Sequence, residues 1–273
     1  MSNIGVIGPR SSGKTTYLAA LAYFPESRSK AKKKSPFEVE AIEGIEDNTK
    51  IIRDAENRIL QGASFEPTTL EGGVDNLAKY MFRIKAKRSQ IDLVARDYPG
   101  EIFNDLVEGV DSNSLHKEFM QECLRKDVKG LLVMLPAWEK ESDSFYKQMV
   151  RSLIVWIDNE ERMGDLRLAI AMSKCERGEI WSGRLDPEID LFNIHLPQTT
   201  AILRKKLNPK NLEFFAISAF GVLGRNDPRP NRVDEIGQEG INSVLREPAA
   251  WQPYGLVSPL YWLSTGKRIR ADV

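Results

Sequence analysis

At 273 residues the chain is long enough for one large domain or two small ones, and it can bury a sizeable core without disulfide or metal crosslinks. Its 39 basic and 39 acidic residues give a net charge of zero, which argues against a nucleic-acid or anionic-membrane partner. The sequence has no apolar run of membrane-spanning length, it has only two cysteines, and a core strand begins within three residues of its start. We therefore expect a cytoplasmic protein without a membrane span.

The first feature in chain order is a glycine-rich loop, residues 8–15, which matches the phosphate-binding pattern G-x-x-x-x-G-K-[ST]. An apolar strand, residues 3–7, precedes it, and a helical stretch, residues 15–23, follows it. In this order the loop N–H groups and the helix N-terminus surround one anion. Lys14 would reach the β- and γ-phosphates, and the Thr15 hydroxyl would face Mg²⁺. The predicted nucleotide contacts here are Gly8, Ser11, Ser12, Gly13, Lys14, Thr15 and Thr16.

Strands and helices alternate along the rest of the chain. This pattern predicts an α/β, P-loop NTPase fold: a doubly wound, mostly parallel sheet with one antiparallel hairpin strand and helices on both faces. The other predicted strands are 37–42, 80–86, 91–96, 130–136, 166–172 and 212–217, and the other predicted helices are 47–60, 116–127, 144–162, 199–207 and 255–264. No composition break marks a second domain, so residues 1–273 are expected to form a single domain with insertions at about 28–61, 178–209 and 222–253.

Apolar spacing also predicts which side chains enter the core. For the long helix 144–162 these are Phe145, Met149, Leu153, Val155 and Trp156. Four aromatic residues near the C-terminus are expected to pack the final segment on the sheet, with an exposed partner-docking patch as the alternative: Trp251, Tyr254, Tyr261 and Trp262. The excursion 222–253 is expected to contact a protein partner or a second copy of the chain.

Polar residues follow the predicted strands at their carboxyl ends, where a doubly wound sheet binds its ligands. Asp97 follows strand 91–96 and is expected to hold Mg²⁺ opposite Thr15, and the Gly100 N–H is expected to bond a γ-phosphate oxygen. A hydroxyl of Thr68 or Thr69, in the loop before the hairpin, would complete the Mg²⁺ shell.

Two further clusters predict a site for the base. After strand 166–172, Lys174 would lay its stem along a purine face and Glu176 would accept the N–H donors of guanine. After strand 212–217, Ser218 and Ala219 would present backbone N–H groups to the base carbonyl.

In this order the motifs resemble those of the Ras-like P-loop GTPases of the translation-factor-related (TRAFAC) class, over residues 3–221. That class carries G-x-x-x-x-G-K-[ST], a switch threonine, D-x-x-G, [NT]-K-x-D and S-A. The similar segments here are residues 8–15, Thr68 or Thr69, 97–100, 173–176 and 218–219. Residues 13–18, 97–101 and 259–263 are in addition similar to the bacterial double-GTPase group.

The resemblance implies a switch that binds GTP or GDP with Mg²⁺ and signals through loops 62–76 and 97–115. Ser173 and Glu176 replace the asparagine or threonine and the aspartate of the class, so guanine and adenine both stay open. Glu101 stands where Ras-like enzymes keep the glutamine that orients water, so hydrolysis is expected to be slow. Arg10 is either a built-in arginine finger or points to solvent and blocks an incoming one; with Lys14 and Glu101 it completes the predicted catalytic set.

Two other functions share this start of the chain. A small-molecule or nucleotide kinase also begins with a strand and a phosphate loop, and it needs an arginine-rich lid. The candidate lid residues are Arg184, Arg204, Arg225, Arg229 and Arg232. The second alternative is a scaffold that binds nucleotide without turnover.

Overall fold

The computed structural model describes residues 1–23, 37–42, 46–60, 73–86, 89–108, 114–136, 142–224, 226–237 and 240–269. Its centre is a seven-stranded sheet. In chain order the strands are β1 (Ser2–Ile7), β2 (Phe37–Ala41), β3 (Lys79–Ala86), β4 (Ser89–Asp97), β5 (Val128–Pro136), β6 (Arg167–Ser173) and β7 (Leu212–Ala216). Across the sheet their order is β2-β3-β4-β1-β5-β6-β7. β3 runs antiparallel to both its neighbours and the remaining pairs are parallel, which confirms the predicted sheet.

The parallel register brings the carboxyl ends of five strands to one edge of the sheet. Val6 of β1 pairs with Asp97 of β4, and Met172 of β6 pairs with Ala216 of β7. The loop after β1 therefore lies beside the residues that follow β4, β6 and β7, where the polar clusters of the sequence occur.

Helices cover both faces of the sheet. They are α1 (Lys14–Ala22), α2 (Glu46–Ala55), α3 (Gly100–Glu108), α4 (Ser114–Cys123), α5 (Ser142–Asn159), α6 (Asn193–His195), α7 (Pro197–Lys206) and α8 (Ser258–Thr265). Short 3₁₀ or π turns lie at Glu56–Leu60, Val74–Asn76, Gly178–Leu185, Pro187–Phe192, Pro209–Asn211 and Pro248–Ala250. One core holds side chains of α1, α2 and α8, and the other holds those of α3, α4, α5 and α7. Within the described ranges, no helix combines the length and apolarity that crossing a bilayer requires.

After its first three residues, helix α1 is apolar on all sides, as suits a helix buried between the sheet and other elements. Five consecutive residues of α1 are fully buried: Tyr17, Leu18, Ala19, Ala20 and Leu21. The Tyr17 hydroxyl donates to the Leu256 carbonyl at 2.6 Å, which ties this helix to the C-terminal segment. The helix that follows the phosphate loop is thus packed between the sheet and the C-terminal segment around Leu256.

Two sequence expectations are wrong in detail. Segment 97–115, expected as a switch loop, contains helix α3, whose Ile102 and Phe103 enter the core. Pro99 and Gly100 at its start favour a turn, and the helix is too short for its apolar spacing to outweigh that signal. Val155, expected in the core, is 57% exposed because it lies two residues from buried Leu153, on another side of α5.

The excursion 222–253 folds into two hairpins. They are formed by β8 (Val222–Gly224) with β9 (Asp227–Pro230) and by β10 (Arg232–Gly237) with β11 (Gly240–Leu245). The four C-terminal aromatic residues are buried, as predicted for core contacts: Trp251, Tyr254, Tyr261 and Trp262. Trp251 stacks on Tyr23, just past the end of α1, with 5.9 Å between the ring centroids.

Candidate nucleotide site

The phosphate loop leaves β1 in a conformation that needs glycine. Gly8 has φ +148°, and a Cβ there would overlap the Met134 carbonyl of β5. Beyond it the Ser12 N–H closes a turn onto the Pro9 carbonyl, and the Gly13 carbonyl accepts the Tyr17 N–H as the first helical bond of α1. The loop therefore wraps closely before it enters the helix, with its backbone N–H groups gathered at the helix N-terminus.

Lys14 places its ammonium inside this loop. Its Nζ donates to the Gly8 carbonyl at 3.0 Å and to the Pro9 carbonyl at 3.2 Å, and the residue is only 7% exposed. Burial lowers the pKa of Lys14, and the nearby Asp97 carboxylate partly offsets that shift. The loop thus holds a desolvated cation, which favours the arrival of an anion.

Ser12 provides an independent sign that the loop suits a ligand. The residue is fully buried, and its hydroxyl has no hydrogen-bond partner among the described residues. A buried polar group left without a partner costs about 1–3 kcal/mol, a cost that a phosphate oxygen would relieve. The Ser12 carbonyl, in contrast, accepts a hydrogen bond from the Ser173 hydroxyl at 2.7 Å, which links the loop to the end of β6. Of the other predicted contacts, Ser11 is exposed and Thr16 is half-buried.

Thr15 and Asp97 meet at the edge of the loop. The Thr15 hydroxyl donates to Asp97 Oδ2 at 3.0 Å, and Asp97 is 1% exposed. Mg²⁺ commonly takes one or two protein oxygen ligands beside substrate phosphates and waters, so this pair fits that ion. A cage of three or more His, Cys, Asp or Glu side chains does not occur in the part of the chain that the structure describes. Thr68 and Thr69 lie outside that part.

The start of α3 lies directly against the phosphate loop. A Cβ added to Gly100 would stand 2.6 Å from the Arg10 nitrogen and 2.9 Å from the Pro9 carbonyl carbon. Glu101, the next residue, forms an ion pair with Arg10, whose side chain is 61% exposed. Two of the three residues of the predicted catalytic set, Arg10 and Glu101, are therefore paired with each other.

The residues predicted to bind the base lie in the loops after β6 and β7. The Cys175 N–H donates to the Ile217 carbonyl at 3.0 Å, which joins the two loops. Lys174 has φ +61° and is half-buried. Burial, with further contributions from Arg232 and Arg177, lowers the pKa of Lys174 to about 8.

Glu176 and Ser218 are held by contacts of their own. The Ser218 hydroxyl donates to Glu176 Oε2 at 2.7 Å, and Arg232 Nη1 donates to Glu176 Oε1 at 3.3 Å. Glu176 is 1% exposed. The Ser218 N–H, expected to face a base carbonyl, instead donates to the Tyr254 carbonyl at 2.9 Å, so that prediction now depends on Ala219.

The structure thus gathers the predicted residues into two groups at one sheet edge. The first set, predicted to bind phosphate, contains the loop residues with Asp97, Gly100 and Glu101. The second set, predicted to bind the base, contains the residues of the loops after β6 and β7. Sequence reasoning missed the link from Ser173 to Ser12, and it placed Arg232 only in a candidate kinase lid. No spacing or periodicity in the chain connects Arg232 to Glu176, 56 positions earlier.

One family model matches this sequence. The sequence model of the Double-GTPase 1 family (DO-GTPase1) matches residues 5–162. A search of curated proteins found no relative.

Solved structures of GTPase domains are similar at low identity. The signal recognition particle receptor SRβ–GTP/SRX complex of Chaetomium thermophilum is 13% identical over 81% of this chain and 92% of that chain, with a TM-score of 0.40. The G domain of the T. maritima FeoB iron transporter is 13% identical over 80% and 88%, with a TM-score of 0.36. The S. cerevisiae Ski7 GTPase-like domain, bound to GTP, is 16% identical over 96% and 49%, with a TM-score of 0.45.

The family match carries the assignment, because it spans more than half of the 273 residues and includes the phosphate loop, Asp97 and Gly100. This chain therefore belongs to the Double-GTPase 1 family and contains a GTP-binding domain of the GTPase type.

Proposed function

We propose that this protein is a guanine-nucleotide switch that binds GTP or GDP with Mg²⁺ and hydrolyses GTP slowly. The observation that carries the proposal is the buried Lys14 ammonium inside the phosphate loop, beside the hydrogen-bonded pair of Thr15 and Asp97. A desolvated cation, a helix N-terminus and two oxygen ligands at one sheet edge match the needs of a polyphosphate with its divalent ion.

The phosphate groups would take over contacts that the loop now makes within itself. Lys14 would exchange the Gly8 and Pro9 carbonyls for phosphate oxygens, and the Ser12 hydroxyl would gain a partner. Mg²⁺ would be held by Thr15 and Asp97, joined by a hydroxyl from the predicted switch threonine, and would neutralise phosphate charge.

The switch would work through the start of α3. Gly100 already lies against the Pro9–Arg10 backbone, so a γ-phosphate at this point would contact its N–H and the helix N-terminus. Loss of that phosphate would change the position of the segment that begins at Asp97, and loop 62–76 would respond from the Mg²⁺ side.

The pairing of Arg10 with Glu101 would make GTP hydrolysis slow. A glutamate beside a γ-phosphate repels it unless a cation shields the carboxylate, and Arg10 provides that shield. While it is paired, Glu101 orients water poorly and Arg10 does not stabilise the transition state, so both catalytic contributions stay small.

Arg10→Ala should weaken GTP binding more than GDP binding, because it leaves Glu101 unshielded beside the γ-phosphate. We expect the GTP dissociation constant to rise about fivefold at low salt and the GDP value to stay nearly unchanged, since the pair is largely exposed. Titration with a non-hydrolysable GTP analogue and with GDP, at low and at high salt, measures both values.

The double variant Arg10→Ala with Glu101→Gln removes the repelling charge together with its shield, and it should restore GTP affinity. If the double variant binds GTP as weakly as Arg10→Ala alone, charge shielding is not the role of Arg10.

Glu176 would recognise the base by accepting its N–H donors. Lys174 would lie along the purine face, and the Ala219 N–H would donate to the base carbonyl. Guanine offers two donors, N1–H and the 2-amino group, which suit a carboxylate. Xanthine has a carbonyl in place of that amino group, which suits an amide. Glu176→Gln should therefore lower GTP affinity by about a hundredfold and raise affinity for xanthosine triphosphate, as measured by competition titration.

Glu213→Gln is the matched control. Glu213 lies near the start of β7, away from the base loops, and forms an ion pair with Arg268. This variant should leave the preference for GTP intact. A Glu176→Gln protein that keeps its preference for GTP over xanthosine triphosphate would show that another group reads the base.

The contacts of the candidate lid arginines favour a GTP-binding switch over a kinase. A lid must direct guanidinium groups at transferring phosphates, whereas those in the described ranges contact protein groups. Arg184 lies over the Trp181 ring, and ion pairs join Arg204 to Glu188, Arg229 to Asp227 and Arg232 to Glu176. Arg225 lies outside those ranges.

A further inference from the structure

The C-terminal excursion is packed onto the loops that would hold the base. Ser218 exchanges two backbone hydrogen bonds with Tyr254, at 2.9 and 2.8 Å. The Asn231 N–H donates to the Gly221 carbonyl at 3.0 Å, and the Trp251 indole donates to the Ala219 carbonyl at 2.8 Å. The segment expected to reach outward to a partner therefore lies over the base loops of its own chain.

Arg232, the first residue of β10, is the side chain that this segment directs at Glu176. It is 8% exposed, and its Nη1 donates to Glu176 Oε1 at 3.3 Å. Its Nε donates to Asp234 Oδ1 at 2.6 Å, and its guanidinium carbon lies 5.8 Å from the centroid of the Phe220 ring. Asp234 is held in turn by Arg177 at 3.2 Å.

Glu176 is closed to a ligand in this arrangement. The Ser218 hydroxyl occupies one carboxylate oxygen, Arg232 occupies the other, and the residue is 1% exposed. A base can reach the carboxylate only after a covering group moves. Arg232 is the contact that comes from outside the two base loops, so rotation of its side chain alone would free Glu176 Oε1.

The Arg232 guanidinium that contacts Glu176 has the same kind of N–H donors as guanine, the base proposed to replace it. The N1–H and 2-amino group of guanine form a planar N–C–N edge that donates to a carboxylate. A guanidinium carries the same kind of edge, of which Arg232 directs one nitrogen, Nη1, at Glu176.

We propose that Arg232 is an internal competitor of guanine, which occupies Glu176 until a guanine nucleotide displaces it. The inference rests on the proposed guanine site at Glu176. Charge crowding supports it, because Arg232 and Arg177 both contribute to the lowered pKa of Lys174 and the departure of Arg232 would relieve that repulsion.

This competition also favours guanine over adenine. When Arg232 leaves, Glu176 Oε1 needs a new donor, since a buried carboxylate oxygen without one is costly. Guanine supplies a donor at N1–H or at its 2-amino group. Adenine has an acceptor at N1, so it leaves the carboxylate without a replacement for the lost contact.

The test replaces Arg232 with methionine, which keeps the apolar stem over Phe220 and removes the guanidinium. We expect R232M to bind GTP and GDP about tenfold more tightly, the factor for one charge-assisted hydrogen bond, with no change for inorganic tripolyphosphate, which has no base. R229M is the matched control, because Arg229 lies on β9 and pairs with Asp227 in solvent. It should change none of these affinities.

Chemical rescue gives a readout that a structural role would not move. Millimolar methylguanidinium should bind the Glu176 carboxylate of R232M in place of the lost guanidinium, and so raise the GTP dissociation constant. Methylammonium at the same concentration should not. If R232M does not fold, R232Q replaces it with the same expected sign, because a neutral amide is a weaker donor to the Glu176 carboxylate than a guanidinium.

A folded variant that binds GTP with unchanged or lower affinity overturns the proposal. Wild-type protein is titrated with GTP and ATP in the same series. If the wild-type protein prefers GTP to ATP while R232M binds GTP no more tightly than the wild type, the guanine site stands and only the competitor is ruled out. Equal binding of GTP and ATP removes both.

Discussion

Replacing Lys14 with alanine should lower GTP affinity by about a hundredfold or more, because it removes a buried charge-assisted contact to the phosphates. The fold should survive. Burial lowers the pKa of Lys14, so the charged side chain is costly in the folded protein, and its removal offsets the loss of the hydrogen bonds to Gly8 and Pro9. Calorimetric titration with GTP and GDP, together with urea unfolding, separates the two effects.

Lys147→Ala is the control for this change. Lys147 lies on α5 and donates to the Gln198 side chain of α7 at the surface. Its loss should alter neither affinity nor unfolding free energy by a measurable amount. Wild-type GTP affinity in Lys14→Ala would be incompatible with a phosphate site in this loop.

Gly100→Ala should disturb both stability and the distinction between GTP and GDP. The added methyl group would enter the backbone of Arg10 and Pro9, at 2.6 and 2.9 Å, so the phosphate loop and α3 must separate. We expect the free energy of unfolding to fall by about 1–3 kcal/mol, a usual cost of overpacking. Affinity for a non-hydrolysable GTP analogue should fall about tenfold, and affinity for GDP much less, since the proposed Gly100 contact is to the γ-phosphate.

Gly164→Ala provides the comparison, because a Cβ at Gly164 would meet no atom within 4 Å and its φ lies outside the left-handed range. It should change neither property. An unaltered ratio of GTP to GDP affinity in Gly100→Ala would separate this glycine from nucleotide sensing, even if the variant were less stable.

The phosphate half of the site could be predicted because its determinants are local. The loop pattern, the strand before it and the helix after it lie within one short stretch, and Gly8 and Lys14 act where the pattern puts them. Asp97 needed one further step, the rule that parallel strands bring their carboxyl ends to one edge, and its pairing with Thr15 follows from that register.

The base half could not be predicted to the same depth because its contacts are long-range. Glu176 and Ser218 were found from the order of the motifs. Their partners Arg232 and Tyr254 lie in a glycine- and proline-rich segment whose hairpins gave no clear alternation. The place of such a segment depends on how it packs against the finished sheet, which no local spacing encodes.

The same limit applies to the excursion 222–253, whose packing against the base loops was not predicted. Composition alone made residues 222–253 a candidate partner surface. Buried Asn231, which binds the Gly221 and Glu247 backbone, instead holds this segment against the base loops. A contact surface for a partner or second copy stays a prediction for its outer face.

The most direct test of the account is a titration of the purified protein with fluorescent GTP, GDP and ATP analogues, with and without Mg²⁺. The account predicts that GTP and GDP bind, that ATP binds much more weakly, and that Mg²⁺ tightens GTP binding. Absence of binding by every nucleotide would contradict the phosphate site at Lys14, and a preference for ATP would contradict the assignment of Glu176 to guanine.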